Sequence, residues 1–154
     1  MTNQNRLHPG QPAPVFKSQD VYGNEHTLEQ LRGKKVMVSF YRYPECVYCN
    51  LRIHEVIKKH ETYKKNGLEF ISFFQSPGKD ILRNNKDITF PFPVIGDPER
   101  KVYKLYKVEE HSLIGFIKGA LRLGRLFEAM NQGKKIRAGY GSRTLIPADF
   151  LIDE

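Results

Sequence analysis

The sequence predicts an α/β domain with a mostly parallel central sheet that is covered by helices on both faces. Segments with the pattern of buried strands alternate along the chain with segments whose apolar residues have helical spacing. Two of the strand segments, 35–41 and 68–74, are joined by one long helical segment, which is the connection that parallel neighbours need. The 154 residues contain no internal repeat and no linker rich in Pro, Gly or Ser, so we expect residues 1–154 to form a single domain.

The first predicted elements lead into the sheet. An extended segment at 15–17 is followed by a turn at 20–24. Thr27 and Gln30 have the spacing of a capping box, which predicts that a short helix begins after Thr27. The next segment, 35–41 (KVMVSFY), has apolar residues on both sides and is therefore expected to be a central strand, buried on both faces.

The longest predicted helix covers residues 46–66. Its apolar residues recur at helical spacing, lysines gather near its end, and Gly67 is a typical residue to terminate it. A second buried strand is predicted at 68–74, and the polar segment 76–86 is expected to form a surface helix. A short strand at 94–95 and a helix at 97–107 follow, the helix beginning with Asp97 as its cap.

A basic helical insertion is predicted at about 111–143, before a final strand in the second half of 145–152. The formal net charge is +8, and this insertion contains seven Lys or Arg residues against the single acid Glu128. We expect an amphipathic helix that covers the sheet or forms a dimer contact; the alternative is contact with an acidic partner, RNA or a membrane surface. No aromatic stacking platform accompanies the charge, so we expect no nucleic-acid binding.

The two cysteines, Cys46 and Cys49, form a Cys-x-x-Cys motif at the predicted start of the longest helix. Unpaired N–H groups and the helix dipole stabilise a thiolate there and lower the pKa of a cysteine from about 8.5 into the range of about 3.5 to 7.5. The spacing lets one sulfur resolve a mixed disulfide or a sulfenic acid that forms on the other. Because such close cysteines cannot link distant parts of a fold, the motif indicates redox chemistry.

A zinc site is the alternative interpretation of this motif. The nearest additional ligands are His54 and His60, which lie six residues apart on the predicted helix. His54 would be about 12 Å from Cys46 by helical rise, so four ligands could not meet at one ion without breaking the helix. We therefore expect no metal and no organic cofactor, and we expect both histidines on the helix surface.

Motifs in both halves of the chain resemble peroxiredoxins of the alkyl hydroperoxide reductase and thiol-specific antioxidant type. The matching stretches are Gly10-Gln11-Pro12-Ala13-Pro14-x-Phe16, Asp20-x-x-Gly23, Phe92-Pro93-x-x-x-Asp97-Pro98 and Phe150-Leu151-Ile152-Asp153. Residues 40–51 (FYRYPECVYCNL) are similar to one branch whose active stretch reads Phe-Tyr-Arg-x-x-x-Cys-x-x-Cys-Asn-Leu. The resemblance implies a thioredoxin-like fold and a thiol-dependent oxidoreductase. Its substrate would be a peroxide or a protein disulfide, and its reductant a thioredoxin-type protein or a low-molecular-weight thiol.

The resemblance leaves the order of attack open. By analogy with thioredoxin, Cys46 is the more exposed sulfur and attacks, while Cys49 resolves; by the peroxiredoxin alignment, Cys49 takes the peroxide. Arg42 is expected to stabilise a thiolate electrostatically, with a merely solvated arginine as the alternative. Pro147 stands where these peroxiredoxins have an arginine, and it resembles the cis-proline beside the thioredoxin dithiol.

Three further expectations concern the location of the protein, its oligomeric state and an alternative function. No apolar run approaches the roughly 20 residues of a membrane span, and we find no signal peptide, so the chain is expected to be soluble and cytoplasmic. It stops where related folds add another strand and helix, which indicates a truncated form or cover from a partner subunit; we expect a homodimer. The alternative function is a non-enzymatic binding or redox-sensing module that uses the basic segment.

Overall fold

A computed structural model describes residues 7–108 and 145–153, so the predicted insertion at 111–143 lies outside the described residues. The elements, in chain order, are β1 (Lys17–Gln19), β2 (Glu25–Thr27), a short 3-10 helix (Leu28–Leu31), β3 (Lys35–Tyr41), α1 (Val47–Lys65), β4 (Leu68–Phe74), α2 (Gly78–Asn84), β5 (Val94–Gly96), α3 (Lys101–Leu105) and β6 (Ala148–Ile152). The predicted strands at 35–41 and 68–74 are confirmed at both ends.

The main sheet has four strands in the order β5, β4, β3, β6. β3 pairs in parallel with β4, and β4 pairs in parallel with β5. β6 runs antiparallel to β3, with Ala148 opposite Phe40. The sheet is therefore mostly parallel, as predicted, and β3 lies between two neighbours. β1 and β2 form a separate antiparallel hairpin.

Side chains of β3 alternate between two hydrophobic clusters, one on each face of the sheet. Val36, Val38 and Phe40 pack with Val102 and Tyr103 of α3 and with Tyr106, which directly follows that helix. Met37 and Tyr41 point the other way, into the cluster that contains Ile53 and Val56 of α1. Because strand side chains alternate with a period of two, one strand supplies both cores. Helices on both faces of the sheet are thus confirmed.

The third α-helix begins later and ends earlier than predicted. The expected helix at 97–107 is wrong at both ends, since α3 covers only Lys101–Leu105. Arg100 has a left-handed backbone with φ 57°, which separates the Pro98 turn from the helix. Asp97 still acts at the helix start, because its carboxylate accepts hydrogen bonds from the backbone N–H groups of Lys101 (2.9 Å) and Val102 (2.8 Å).

Candidate active site

Both cysteines lie where β3 passes into α1, at the carboxyl end of the parallel strands. Cys46 is the N-cap residue of α1, and Cys49 is in its first turn. This is the position predicted from the motif, and it places both sulfurs beside the unpaired N–H groups of a helix start. The edge of the sheet at which parallel strands end is also the usual location of sites in such folds.

Asn50 holds the loop that brings Cys46 to this position. Its side-chain Nδ2 donates a hydrogen bond to the carbonyl oxygen of Pro44 at 2.5 Å, and its backbone N–H donates to that of Cys46 at 2.9 Å. The Asn50 side chain is buried, so these bonds are shielded from water. Our sequence analysis did not single out Asn50 as a site residue, although it directly follows Cys49 in the resembling motif.

The two sulfurs have opposite protonation tendencies. A hydrogen bond with the Cys49 side chain is the main cause that lowers the pKa of Cys46 to about 6; burial opposes it, and the positive charge of Arg42 assists it. The same hydrogen bond with Cys46, together with burial, raises the pKa of Cys49 well above its ordinary value. At neutral pH, Cys46 is therefore the thiolate and Cys49 keeps its proton.

The expectation that Cys46 is the more exposed of the two sulfurs is confirmed, although both are buried. Only 4% of Cys46 and 1% of Cys49 is accessible to solvent, and both belong to the hydrophobic cluster that also contains Tyr41 and Phe74. Cys46 is marginally the more accessible of the two. Burial of the pair in apolar surroundings means that a reactant reaches Cys46 only if it is small or if the surrounding loop moves.

Arg42 lies between the two sulfurs and the end of the neighbouring strand. Burial acts to lower the pKa of Arg42, but the charges of Cys46 and Cys49 and a hydrogen bond with Cys46 outweigh it and raise that pKa. The backbone N–H of Arg42 lies 3.4 Å from Cys49 Sγ, and its carbonyl oxygen accepts the backbone N–H of Gln75 at 2.9 Å. The structure therefore brings Arg42 into the dithiol site as a half-buried residue.

Pro147 does not have the expected cis conformation. None of the described residues follows a cis peptide bond, so the bond between Ile146 and Pro147 is trans, and Pro147 is exposed. No turn occurs at this point of the chain, and the trans form is the more stable by about 0.5 to 1 kcal/mol where nothing selects cis. Pro147 directly precedes Ala148, which is opposite Phe40, and thus lies toward the dithiol end of β3. Its part in catalysis stays a prediction.

His60 is buried rather than on the helix surface, so the expectation for this residue is wrong. It shares a helix face with Ile53 and Val56, and its ring packs against Phe92 at 5.5 Å between centroids. His54 is half-buried.

Across residues 7–108 and 145–153, no group of three or more His, Cys, Asp or Glu side chains is arranged to hold a metal ion. In the same part of the chain, no helix has the length and apolarity of a membrane span.

Comparisons with solved structures agree with the thioredoxin-like fold. A "putative Thiol:disulfide interchange protein DsbE" from Chlorobium tepidum superposes with a TM-score of 0.61 at 22% identity, covering 68% of this chain and 73% of that one. "Peroxidoxin BcpB" from Mycobacterium tuberculosis superposes with a TM-score of 0.60 at 16% identity, covering 68% of each chain. At these identities the likeness shows the fold alone.

Sequence comparisons identify the family. The "Putative peroxiredoxin" of Mycobacterium tuberculosis (strain ATCC 25618 / H37Rv) is 31% identical over 106 residues, which cover 66% of this chain and 65% of that protein. "Thiol-disulfide oxidoreductase ResA" of Geobacillus kaustophilus (strain HTA426) is 27% identical over 108 residues, which cover 70% of this chain and 62% of that protein. The match thus spans slightly under two thirds of each relative. The model of the AhpC/TSA family matches residues 9–154, which is nearly the whole chain. The chain is therefore a peroxiredoxin-like member of the AhpC/TSA family.

Proposed function

We propose that this protein is a thiol-dependent oxidoreductase in which Cys46 attacks the oxidant and Cys49 resolves the product. The observation that carries the proposal is the opposite pKa shift of the two cysteines, because it supplies a thiolate and a nearby thiol at neutral pH. The names of the relatives, peroxiredoxin and thiol-disulfide oxidoreductase, support the same class of reaction. Arg42 contributes by stabilising the Cys46 thiolate through its positive charge and hydrogen bond.

The reaction has two steps. With a peroxide, the Cys46 thiolate attacks one oxygen and becomes a sulfenic acid, while the other oxygen leaves as an alkoxide or hydroxide that takes a proton. Cys49 then loses its proton and its sulfur displaces hydroxide from Cys46, which forms the Cys46–Cys49 disulfide and water. An external dithiol or two monothiols return the disulfide to the reduced state.

A protein disulfide is the second candidate oxidant. The Cys46 thiolate would attack one of its sulfurs and release the other as a thiolate, and Cys49 would release the first. The burial of Cys46 favours the peroxide, because a folded protein cannot bring a sulfur to Cys46 Sγ unless the loop at 42–46 moves. One relative is named a peroxiredoxin and another a thiol-disulfide oxidoreductase, so the test includes both oxidants.

The test compares the wild type with Cys46→Ser and Cys49→Ser. We expect the wild type to consume hydrogen peroxide in the presence of dithiothreitol and Cys46→Ser to be inactive. Without dithiothreitol, Cys49→Ser should consume about one equivalent of peroxide and form a sulfenic acid that a dimedone probe labels. Insulin, whose two chains are joined by disulfides, replaces the peroxide to measure the second candidate. Equal inertness of all three proteins toward both oxidants would support the non-enzymatic alternative, in which the basic segment 111–143 binds an acidic surface.

We further propose a homodimer that works in the cytoplasm. Among the described residues, β6 is an edge strand of the main sheet, and Leu151 on it is 61% exposed, which favours burial against a second copy. A catalytic dithiol needs a compartment whose reductants can regenerate it. Light scattering of the purified wild type and Leu151→Lys tests the first proposal, which fails if both are monomers. Cell fractionation with alkylation of free thiols tests the second.

A further inference from the structure

One peptide unit connects the dithiol to the opposite face of the sheet. This unit joins Tyr41 to Arg42 at the end of β3. Its N–H, on Arg42, donates toward Cys49 Sγ at 3.4 Å. Its carbonyl oxygen, on Tyr41, accepts a hydrogen bond from the hydroxyl of Tyr103 at 2.5 Å. Both polar ends of the same peptide are therefore occupied, one by the site and one by a residue of α3.

Tyr103 is held rigidly in this position. Only 2% of it is accessible to solvent, and its ring packs against Phe40 at 4.9 Å between centroids. Its hydroxyl also lies 2.9 Å from the carbonyl oxygen of Phe73, on the neighbouring strand. The single hydroxyl proton is shared between the carbonyl oxygens at the ends of β3 and β4, with the shorter contact to Tyr41. Both acceptors hold the buried hydroxyl in place.

We propose that Tyr103 is a positioning residue for the resolving step, because its hydroxyl fixes the Tyr41–Arg42 peptide with the N–H directed at the Cys49 sulfur. This inference rests on the proposed function, in which Cys49 must become a thiolate before it can attack. A hydrogen bond to the carbonyl oxygen also polarises the peptide and makes its N–H a stronger donor. Tyr103 touches neither cysteine in this scheme and acts only through the peptide.

The electrostatics of Cys49 are consistent with this role. The hydrogen bond with Cys46, burial and the charge of Cys46 all raise the pKa of Cys49, whereas the Arg42 N–H and guanidinium lower it. The Arg42 N–H is thus one of the few groups that favour the thiolate needed for resolution. A weakened donor reduces the thiolate fraction, and a loss comparable to one ordinary hydrogen bond slows a thiolate-dependent step by about 3- to 10-fold.

Tyr106 provides a matched control on the same face of the sheet. It belongs to the same aromatic cluster as Tyr103 and is equally buried. Its hydroxyl, however, has no hydrogen-bond partner among the described residues. Tyr103→Phe and Tyr106→Phe therefore remove the same atom from the same core, but only the first removes a bond to the Tyr41–Arg42 peptide.

The experiment mixes the reduced protein, in excess, with dithiobis(nitrobenzoate), a small disulfide that releases a coloured thiolate. The Cys46 thiolate attacks one sulfur and releases the first nitrobenzoate thiolate; Cys49 then loses its proton, attacks Cys46 Sγ and releases the second. The wild type should show two phases of release. We expect Tyr103→Phe to slow the second phase about 3- to 10-fold at pH 7 with the first phase unchanged, and Tyr106→Phe to alter neither.

The outcomes separate this inference from the proposed function. Equal second phases in Tyr103→Phe and Tyr106→Phe, with a biphasic wild type, would overturn the role of Tyr103 alone. A wild type that releases no second thiolate would overturn both. If Tyr103→Phe does not fold, nuclear magnetic resonance of the wild type decides: the Tyr103 hydroxyl proton should exchange slowly, and the Arg42 amide signal should shift on oxidation. A freely exchanging hydroxyl proton would contradict the inference.

Discussion

Cys46 and Cys49 share one hydrogen bond, and it acts on the two sulfurs in opposite directions. For Cys46 it is the largest cause of a pKa near 6, and for Cys49 it is the largest cause of a raised pKa. A shared proton between neighbouring sulfurs makes their titrations a property of the pair. The reactivity of Cys46 and the pH dependence of the free energy of unfolding therefore both depend on the hydrogen bond between the two cysteines.

The first prediction concerns the pH dependence of thiol reactivity. Because the Cys46 pKa is lowered to about 6, its thiolate forms as the pH rises through that value and is almost fully present at pH 7. Iodoacetamide should alkylate one thiol of the reduced wild type with a midpoint near pH 6. Cys46→Ser should lose this phase, and Cys49→Ser should move it to higher pH. A single midpoint above pH 8 in the wild type would contradict the assignment.

The second prediction is a pH dependence of stability in the reduced protein. Cys46 has a pKa of about 6 in the folded state, whereas an ordinary cysteine has about 8.5, so the unfolded chain binds more protons between these values. The free energy of unfolding should therefore rise with pH across this window, by at most about 1.4 kcal/mol per pH unit, and this contribution is lost as the pH falls through 6. Urea denaturation of the wild type and Cys46→Ser at pH 5.5, 7 and 8 measures it. Parallel pH profiles for the two proteins would refute the prediction.

The third prediction concerns Arg42. Arg42→Met removes the positive charge beside the Cys46 sulfur and should raise the Cys46 pKa, which lowers the alkylation rate at pH 6 by about 3- to 10-fold. Arg42→Lys keeps the positive charge and should lower the alkylation rate less than Arg42→Met does. The pH profile of alkylation separates an electrostatic effect from a change in access, because only the former moves the midpoint. If the midpoint of the alkylation profile is unchanged in both variants, Arg42 is merely a solvated arginine with no electrostatic effect on Cys46.

The fourth prediction concerns Asn50. Asn50→Ala leaves the buried Pro44 carbonyl oxygen without its donor, which should lower the free energy of unfolding by about 1 to 3 kcal/mol. Asn66→Ala is the control, since Asn66, in an exposed position directly after the same helix, makes the same kind of bond to the Thr62 carbonyl oxygen. Its effect should be smaller, because water replaces the lost donor. Denaturant titration checks both, and a larger loss in Asn66→Ala would contradict the role of Asn50.

Local patterns were sufficient for the elements whose causes are local. The strands at 35–41 and 68–74 are rich in apolar residues on both faces, and both have the predicted bounds. Thr27 and Gln30 form the capping box that their spacing predicts. Gly67 has a positive φ of 76° just after α1, where a residue without Cβ is least strained. In each case the decisive residues are neighbours in the sequence.

Contacts between distant segments account for the errors. The strand β6 pairs antiparallel with β3, and the peptide bond before Pro147, just ahead of β6, is trans. His60 is buried because Phe92, 32 positions later, packs against it. The burial of the dithiol likewise depends on residues of several elements. None of these contacts leaves a periodic trace within a single segment.

The amino-acid sequence by itself determined that a Cys-x-x-Cys motif follows a buried strand and begins a long helix, because strand pattern, helix periodicity and spacing are properties of adjacent residues. Only the tertiary structure decided which sulfur is the thiolate and which groups act on the other. Arg42 acts from the end of β3, and Tyr103 acts from α3 across the sheet. Electrostatics and hydrogen bonding depend on distance in space, and folding sets that distance independently of separation along the chain.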